Sequence, residues 1–589
     1  MNNIDKSQAT SGRTGRRLDS PAFSAAWGRV LALALMVLSA VPSYAGAKSV
    51  LNKFSTDLES PAGATGMVRV IVQYRAMPAT SSFTSMLARG ATVHSRLQTI
   101  RGVTMTVSAS MLAELHNDPN VLYVTPDRPI RMTSNPKTEE FATAVEADVA
   151  ASQYALDGTG IGVAIIDSGI ASHPDLNNAN GKTRVVYNQS FVAGDSATSD
   201  KYGHGTHVAG LVGGTGANSG TANHYAATYA GMAPNVNLIN LRVLDKNGCG
   251  TDSQVIAAIE KAIALKSTYN IRIINMSLGR PAYESYTLDP VDQAVEAAWK
   301  AGIVVVVAAG NDGRYEPTEG FATIDVPAND PAVITVGATR TLDTATRVDD
   351  TITSYSSKGP TAIDHIVKPD LVAPGNRLVS LRVAGSTLDT LYPQFEVWPT
   401  SGTSKYYVLS GTSMATPVVS GAVALMLQQN SSLTPDQVKA RLMKTAWKGF
   451  GEYTSSTDYY NNIYNNEYDI FTYGAGYLDI DAALGNTNLA SGVALSPTAV
   501  FNSNGTVTVT NTADANFSGS RVVWSATSLV WGTSVVWGST AIEGTSVVWG
   551  GKSVVWGAKS DSACSVVWGA LTNSASVIAA LSNGDPGDN

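Results

Sequence analysis

The chain has 589 residues, 44% of them apolar and 15% charged, with a formal net charge of −7 at neutral pH. That length exceeds one ordinary domain and the apolar fraction supports a well-buried core, so the chain reads as globular and multidomain. A sparsely charged, mildly acidic surface argues against nucleic acid as a partner, and two cysteines, Cys249 and Cys564, are too few for a disulfide framework.

Arg13, Arg16, Arg17 and Arg29 precede an apolar run from Val30 to Val41, and the small residues Ala45-Gly46-Ala47 follow. This pattern reads as a secretory signal peptide. The run is short for a bilayer span, and an A-x-A triplet suits cleavage. An extracellular product with no stable membrane span is expected.

From Val68 to Ile130 the pattern is a small α+β unit: strand VRVIVQY, a stretch with helical spacing, strand RGVTMTV, helix SASMLAELHNDPN and strand VLYVTP. Ser108 or Ser110 can cap the second helix, and Asp118-Pro119 ends it. The segment from Arg128 to Glu140 is polar with two prolines and reads as an exposed, cleavable linker.

Beyond Ile161 the runs IGVAIID, VNLINLRVL, IRIINMSLG, GIVVVVAAGN and AVITVGA are nearly continuous in apolar residues, as strands covered on both faces should be. Stretches of helical period such as DSQVIAAIEKAIALKS and VDQAVEAAWKAG lie between them. Alternating units of this kind predict an α/β, doubly wound, mainly parallel sheet, with chemistry at the carboxyl ends of its strands. The segment from Asn376 to Leu409 is long and aromatic and reads as a surface loop at a cleft rim. Regular structure of this domain should end near Tyr473 to Leu484. The tail repeats SVVWG-like strings around Trp524, Trp531, Trp537, Trp549, Trp556 and Trp568, which predicts a string of very short strands separated by turns.

Three polar residues stand out by position. Asp167 ends a strand, His204 precedes a helix of small residues, and Ser413 opens an apolar helix within GTSMATP. A hydroxyl is a weak nucleophile until a positioned base takes its proton, and the base works best when a buried carboxylate fixes its tautomer. The strings AIIDSGI, GHGTHVAG, NMSLG, AAGN and GTSMATP occur in that order from Asp167 to Ser413. Together they resemble the subtilisin-like serine proteases, over roughly Gly158 to Leu484.

The resemblance implies a serine endopeptidase in which Ser413 is the nucleophile, His204 the base and then the acid, and Asp167 its orienting carboxylate. Asn311 and the Ser413 N–H would stabilise the oxyanion. Pro417 is expected in the first turn of the nucleophile helix, where its missing N–H costs nothing. Ser277, Leu278 and Gly279 would pair with an extended substrate, although Arg280 stands where many relatives carry glycine. Asp325, two residues before Pro327, would lie at the base of the pocket for the residue preceding the cut, with Asp312 at its rim. Two acids there imply a preference for Arg or Lys, and Arg128 and Arg131 stand near the expected self-cleavage site. By the same resemblance, 1–47 is the signal peptide, 48–132 an inhibitory propeptide, 133–487 the catalytic domain and 488–589 a β-rich extension. The protein would be a monomer whose partners are polypeptide substrates and its own propeptide. No cofactor is needed for the chemistry. A structural calcium is possible at Asp175 with the loop from Asn218 to Tyr225, although no set of six oxygens can be assembled from the sequence.

Overall fold

The computed structural model describes residues 53–55, 58, 67–127, 129–130, 138–315, 318–451, 453–457 and 462–501, then 507–510, 516–517, 520–521, 523–525, 536–538, 541–542 and 585. The expected signal peptide, the middle of the linker and most of the tryptophan repeats lie outside these residues. Two repeat segments, Val523–Ser525 and Val536–Gly538, are short strands that pair in parallel.

The first unit contains β1 (Met67–Tyr74), α1 (Thr84–Ala88), β2 (Thr92–Leu97), β3 (Gly102–Ser108), α2 (Ala109–Asn117) and β4 (Val121–Pro126). Its antiparallel sheet runs β2-β3-β1-β4. Val70, Val72, Phe83, Met105, Leu112 and Val124 belong to a core separate from that of the larger domain. The helical spacing read after β1 holds only for α1; the residues that follow form β2. The open edge of β3 supplies ladder partners from Thr106 to Gly102, and tertiary pairing overrides the local pattern. Ser108 precedes α2 as its N-cap, but its hydroxyl bonds that of Ser110 rather than a helix N–H.

The large domain is built on an eight-stranded sheet of β5 (Gly162–Asp167), β6 (Val185–Ser190), β7 (Asn237–Arg242), β8 (Ile271–Met276), β9 (Val304–Ala308), β10 (Ile334–Arg340), β11 (Thr351–Ile352) and β12 (Leu371–Pro374). The order is β11-β10-β9-β8-β5-β7-β6, with β12 also on β10, and only β11 is antiparallel. The five strands read from the sequence are central ones, buried along almost their whole length. Edge strand β6 is half-exposed, so it carries no continuous apolar run. Around the sheet lie α3 (His204–Gly213), α4 (Asp252–Tyr269), α5 (Pro290–Lys300), α6 (Thr412–Gln429) and α7 (Pro435–Thr445). A capping box of Thr251 and Gln254 starts α4. At α5, the Asp289 carboxylate accepts from the Val291 N–H just before a proline.

Two expectations fail here. The segment from Asn376 to Leu409 is not a surface loop. Leu378–Leu381, Glu396–Val397 and Tyr406–Leu409 form a three-stranded sheet with buried Tyr406, and Ser380 Oγ donates to the His207 carbonyl of α3 at 2.8 Å. Phe395, Tyr406 and Tyr407 are buried, whereas Trp398 stays exposed. The linker is also not exposed throughout: Glu139 is buried, accepting from Asn376 Nδ2 at 2.7 Å and from the Thr341 N–H at 2.8 Å.

One buried ion network ties the domain together. The Asp370 carboxylate meets Lys368 Nζ at 2.8 Å and Lys439 Nζ of α7 at 3.1 Å, and accepts from Ser496 Oγ at 2.6 Å. Lys439 also donates to the carbonyls of Pro331 and Val333, both within 3.0 Å. Burial alone would raise the Asp370 carboxyl, but the two ammonium groups outweigh it and hold the pKa below the ordinary carboxylate range. Removing the carboxylate strands two charges in the core. Asp370→Asn, made in a Ser413→Ala chain, should therefore lose about 3–5 kcal/mol of stability in urea at neutral pH. Because the folded pKa is depressed, the contribution is complete above the unfolded carboxylate pKa and fades as pH falls through the folded value, so the gap to the parent should close in acid. A gap that stays constant with pH would show that Asp370 does not act through its charge.

Candidate active site

Asp167 closes β5 at the carboxyl edge of the sheet, where strand ends leave a crevice. Its carboxylate is wholly buried, accepts from the Ser168 N–H at 2.5 Å and lies 3.1 and 3.2 Å from His204 Nδ1. Burial raises the Asp167 carboxyl, partly offset by the Ser168 amide, and burial pushes His204 well below an ordinary histidine. Charge is costly at both, so the arrangement favours a neutral imidazole with its proton on Nδ1, facing the carboxylate. Nε2 is buried and has no hydrogen-bond partner among the described residues.

Another acid positions this pair, and motif reading passed over it. Asp200 is buried and accepts from Ser168 Oγ at 2.9 Å, from the Gly203 N–H at 2.7 Å, and from Thr206 N and Oγ1 at 2.9 and 2.8 Å. It thereby satisfies the N-terminal donors of α3 and fixes His204 at the helix start. Its signal was an acid four residues before the histidine, in a segment read for the histidine alone. Gly205 completes the fit: a Cβ there would lie 2.3 Å from the Gly169 carbonyl and 2.8 Å from Asp167 Oδ1. His207, one turn on, ties α3 to the neighbouring sheet. Its Nε2 contacts the carbonyls of Leu378 and Tyr407 at 3.2 and 3.0 Å, and burial lowers its pKa to about 3.

Ser413 is the second residue of α6, after Gly411, and it is buried. α3 packs along α6, which brings the histidine helix and the serine helix together. The Ser413 hydroxyl donates to the Ser277 carbonyl at 3.1 Å, and the Ser277 hydroxyl donates back to the Ser413 carbonyl at 2.8 Å. Pro417 explains the second bond. It lies inside the helix, beyond the first turn where the sequence suggested it, and cannot donate to the carbonyl four residues earlier. Ser277 supplies the missing donor. Asn275 adds a further tie, donating to Ser277 Oγ at 3.0 Å and accepting from Ser420 Oγ of α6 at 2.8 Å.

Asn311 follows β9. Its side-chain oxygen accepts from the Thr412 N–H at 2.9 Å, and Thr412 Oγ1 donates to the Gly310 carbonyl at 3.1 Å. The amide's oxygen is thus turned to the helix start. A side-chain N–H and a helix N-terminus together can stabilise a developing oxyanion.

Leu278 and Gly279 continue from Ser277. The side chain of Arg280 turns inward, meeting Asp252 at 2.9 Å and Asp289 at 2.6 Å, and so joins the starts of α4 and α5. Its backbone pairs with Val326, which sets Asp325 behind Gly279. A Cβ on Gly279 would touch the Asp325 side chain at 2.9 Å, and one on Gly310 would lie 2.8 Å from Asp325 Oδ2. That oxygen is buried and without a hydrogen-bond partner among the described residues. Burial, reinforced by Asp312, raises the Asp325 carboxyl; burial raises Asp312 to about 7. All eight residues singled out from the sequence therefore lie around one feature, the carboxyl edge of β5, β8 and β9 beside the start of α6.

The oxygens expected to face a calcium ion bond to the chain's own donors in this structure. Asp175 and Asn218 do come together, but Asp175 Oδ1 accepts from Asn218 N and Nδ2 at 3.0 and 2.7 Å, and Oδ2 accepts from the Tyr406 hydroxyl. Lys405 Nζ occupies the Asn218 side-chain oxygen at 3.1 Å. Asp175 and Asn218 thus form a hydrogen-bond node with Tyr406 and Lys405.

Comparison with known proteins agrees with this geometry. Residues 158–477 match the model of the Subtilase family. Serine protease AprX of Bacillus subtilis is 42% identical over 309 residues, spanning 51% of this chain and 65% of that protein. Subtilisin E of the same organism is 31% identical over 403 residues, spanning 67% and 84%. Among solved structures, fervidolysin from Fervidobacterium pennivorans, described as a keratinolytic enzyme related to subtilisin, superposes with a TM-score of 0.54 at 21% identity, covering 74% of this chain and 64% of its own. The last likeness concerns the fold alone. On the strength of the family match and these relatives, the chain belongs to the subtilase family of subtilisin-like serine proteases.

Proposed function

We propose that the protein is a secreted serine endopeptidase made as a self-processed zymogen. The observation that carries the catalytic part is the Asp167–His204 pair, fully buried, with His204 Nε2 left free of described partners, together with Ser413 in the first turn of the helix packed along that of His204. Ser413 Oγ attacks the scissile carbonyl as its proton passes to His204 Nε2. The carbonyl oxygen becomes an oxyanion facing the Ser413 N–H and the Asn311 amide. His204 then protonates the leaving amine, and water hydrolyses the acyl-enzyme by the reverse sequence. No cofactor enters this chemistry.

The zymogen part rests on how the first unit meets the large domain. Pro129–Ile130 pairs antiparallel with Gly250–Thr251, next to the start of α4, as an extended substrate would. Asp127 accepts from the Ser253 N–H at 2.8 Å and from its hydroxyl at 2.5 Å, capping α4 from outside, and Arg69 holds the same carboxylate at 2.6 Å. Thr99 donates twice to Glu260 of α4, and Thr125 Oγ1 donates to Glu284 at 2.9 Å. These contacts support a propeptide spanning 48–132 that blocks the catalytic domain until a cut within or next to the linker.

Specificity follows from Asp325. A buried carboxyl behind two glycines, with Asp312 nearby, suits a cationic side chain on the residue before the cut. Both acids titrate above the ordinary carboxylate range, so binding of Lys or Arg draws them into the charged form.

Ser413→Ala should abolish peptide hydrolysis, by about 10⁶-fold as known for subtilisin itself, and leave the first unit attached; a purified Ser413→Ala chain that still matured unaided would refute self-processing. Asn311→Ala should lower kcat about 10²- to 10³-fold, again the subtilisin value, with KM nearly unchanged. Peptides differing only at the residue before the cut test Asp325. The wild type should favour Arg or Lys, and Asp325→Gly should lose that preference. With a lysine substrate kcat/KM should fall more steeply as pH drops than with a leucine substrate, because protonating the two acids removes the attraction. The same leucine or aromatic preference in both proteins would sink the assignment.

A further inference from the structure

Asp585, far beyond the catalytic residues and past the last tryptophan repeat, is wholly buried in the large domain. Its Oδ1 accepts from Arg314 NH2 at 3.0 Å and from Ser354 Oγ at 2.5 Å, its Oδ2 accepts from the Ser354 N–H at 2.7 Å, and its carbonyl accepts from Asn376 Nδ2 at 3.5 Å. The receptor groups are themselves fixed. Arg314 Nε donates to Ser354 Oγ at 2.7 Å, and its guanidinium lies over the rings of Tyr355 and Tyr464 at 5.8 and 5.6 Å. Arg377 adds positive charge nearby, and Glu139 is a second carboxylate held by the same Asn376. A planar guanidinium, a backbone N–H and a hydroxyl converging on one buried carboxylate are the recognition set for that group.

The site also touches the catalytic apparatus. Arg314 is three residues past Asn311, on a loop pinned by Gly313 N to the Tyr355 carbonyl at 2.9 Å and by Asp312 N to Ser357 Oγ at 3.0 Å. We propose that Arg314, Ser354 and Asn376 form a carboxylate-binding site whose resident ligand is Asp585 of the chain's own C-terminal extension. It anchors the far side of the tryptophan repeats to the oxyanion loop. When the extension is absent, the same site takes a free carboxylate. This goes beyond the proposed peptidase activity and stands whether or not that activity is found.

The test uses the full chain carrying Ser413→Ala, so that it stays whole. Hydrogen exchange is read by mass spectrometry with fragmentation across 351–357, because the Ser354 amide bonds only Asp585 while the neighbouring Thr353 amide bonds the Ala338 carbonyl. Asp585→Ala should speed exchange at Ser354 at least about tenfold and leave Thr353 unchanged. Acetate at tens of millimolar should restore protection in Asp585→Ala but not in Asp585→Ala with Arg314→Met. Ser354 exchange equal to the parent's would overturn the proposal, as would acetate protection indifferent to Arg314. Asp585→Asn, which keeps the shape and one acceptor, serves as a milder second variant and should fall between the two.

Discussion

A proline six residues into the nucleophile helix deprives one carbonyl of its partner, and that carbonyl is Ser413's. The Ser277 hydroxyl fills the gap, and the Ser413 hydroxyl answers by bonding the Ser277 carbonyl. This reciprocal pair fixes the register between the helix that carries the reacting oxygen and the segment proposed to lie along a substrate. An ordinary helix would have satisfied its own carbonyl and left the two elements free to slide. The rest of the site is hung from this junction: Asn275 braces Ser277 against α6, and Thr412 couples the next strand end, with Asn311, to the same helix start.

Positive charge placed in the interior follows one pattern. Arg280 joins the starts of two helices through Asp252 and Asp289, and Lys368 and Lys439 enclose Asp370. In each case the charge is surrounded by carboxylates and carbonyls from segments distant in sequence. Such groups stabilise little in sum, but they penalise any alternative packing heavily, because each misplaced partner leaves an ion uncompensated. Asp325 Oδ2 is one of several buried carboxylate oxygens without a partner among the described residues, and it is the one set behind Gly279 and Gly310, where the proposed substrate side chain would supply the missing charge.

The central strands and the family resemblance were legible because each carries its signal locally: continuous apolar runs for buried parallel strands, and rigid short strings where strand ends meet helix starts. The strings around Asp167, His204, Asn311 and Ser413 name residues that the fold brings to the same edge of the sheet. What escaped depends on partners elsewhere in the chain. Strand β2 exists because β3 offers an edge, β6 is half-exposed and lacks an apolar run, and the 376–409 segment folds inward because α3 needs covering. The position of Pro417 in its helix and the inward turn of Arg280 were hidden for the same reason. At Asp175 the loop partner is the expected one, while Tyr406 and Lys405, remote in sequence, add hydrogen bonds that no local string announces.

Gly205 carries no reacting atom, yet a Cβ at that position would collide with the Gly169 carbonyl and the Asp167 carboxylate. The histidine stands on a platform whose clearance is smaller than one carbon. A descendant of this chain could therefore keep its aspartate, histidine and serine and still lose its chemistry, with nothing changed but a hydrogen exchanged for a methyl. Intactness of the three proposed residues is therefore no sufficient mark of a working enzyme, because the smallest side chain in the motif must be kept as well.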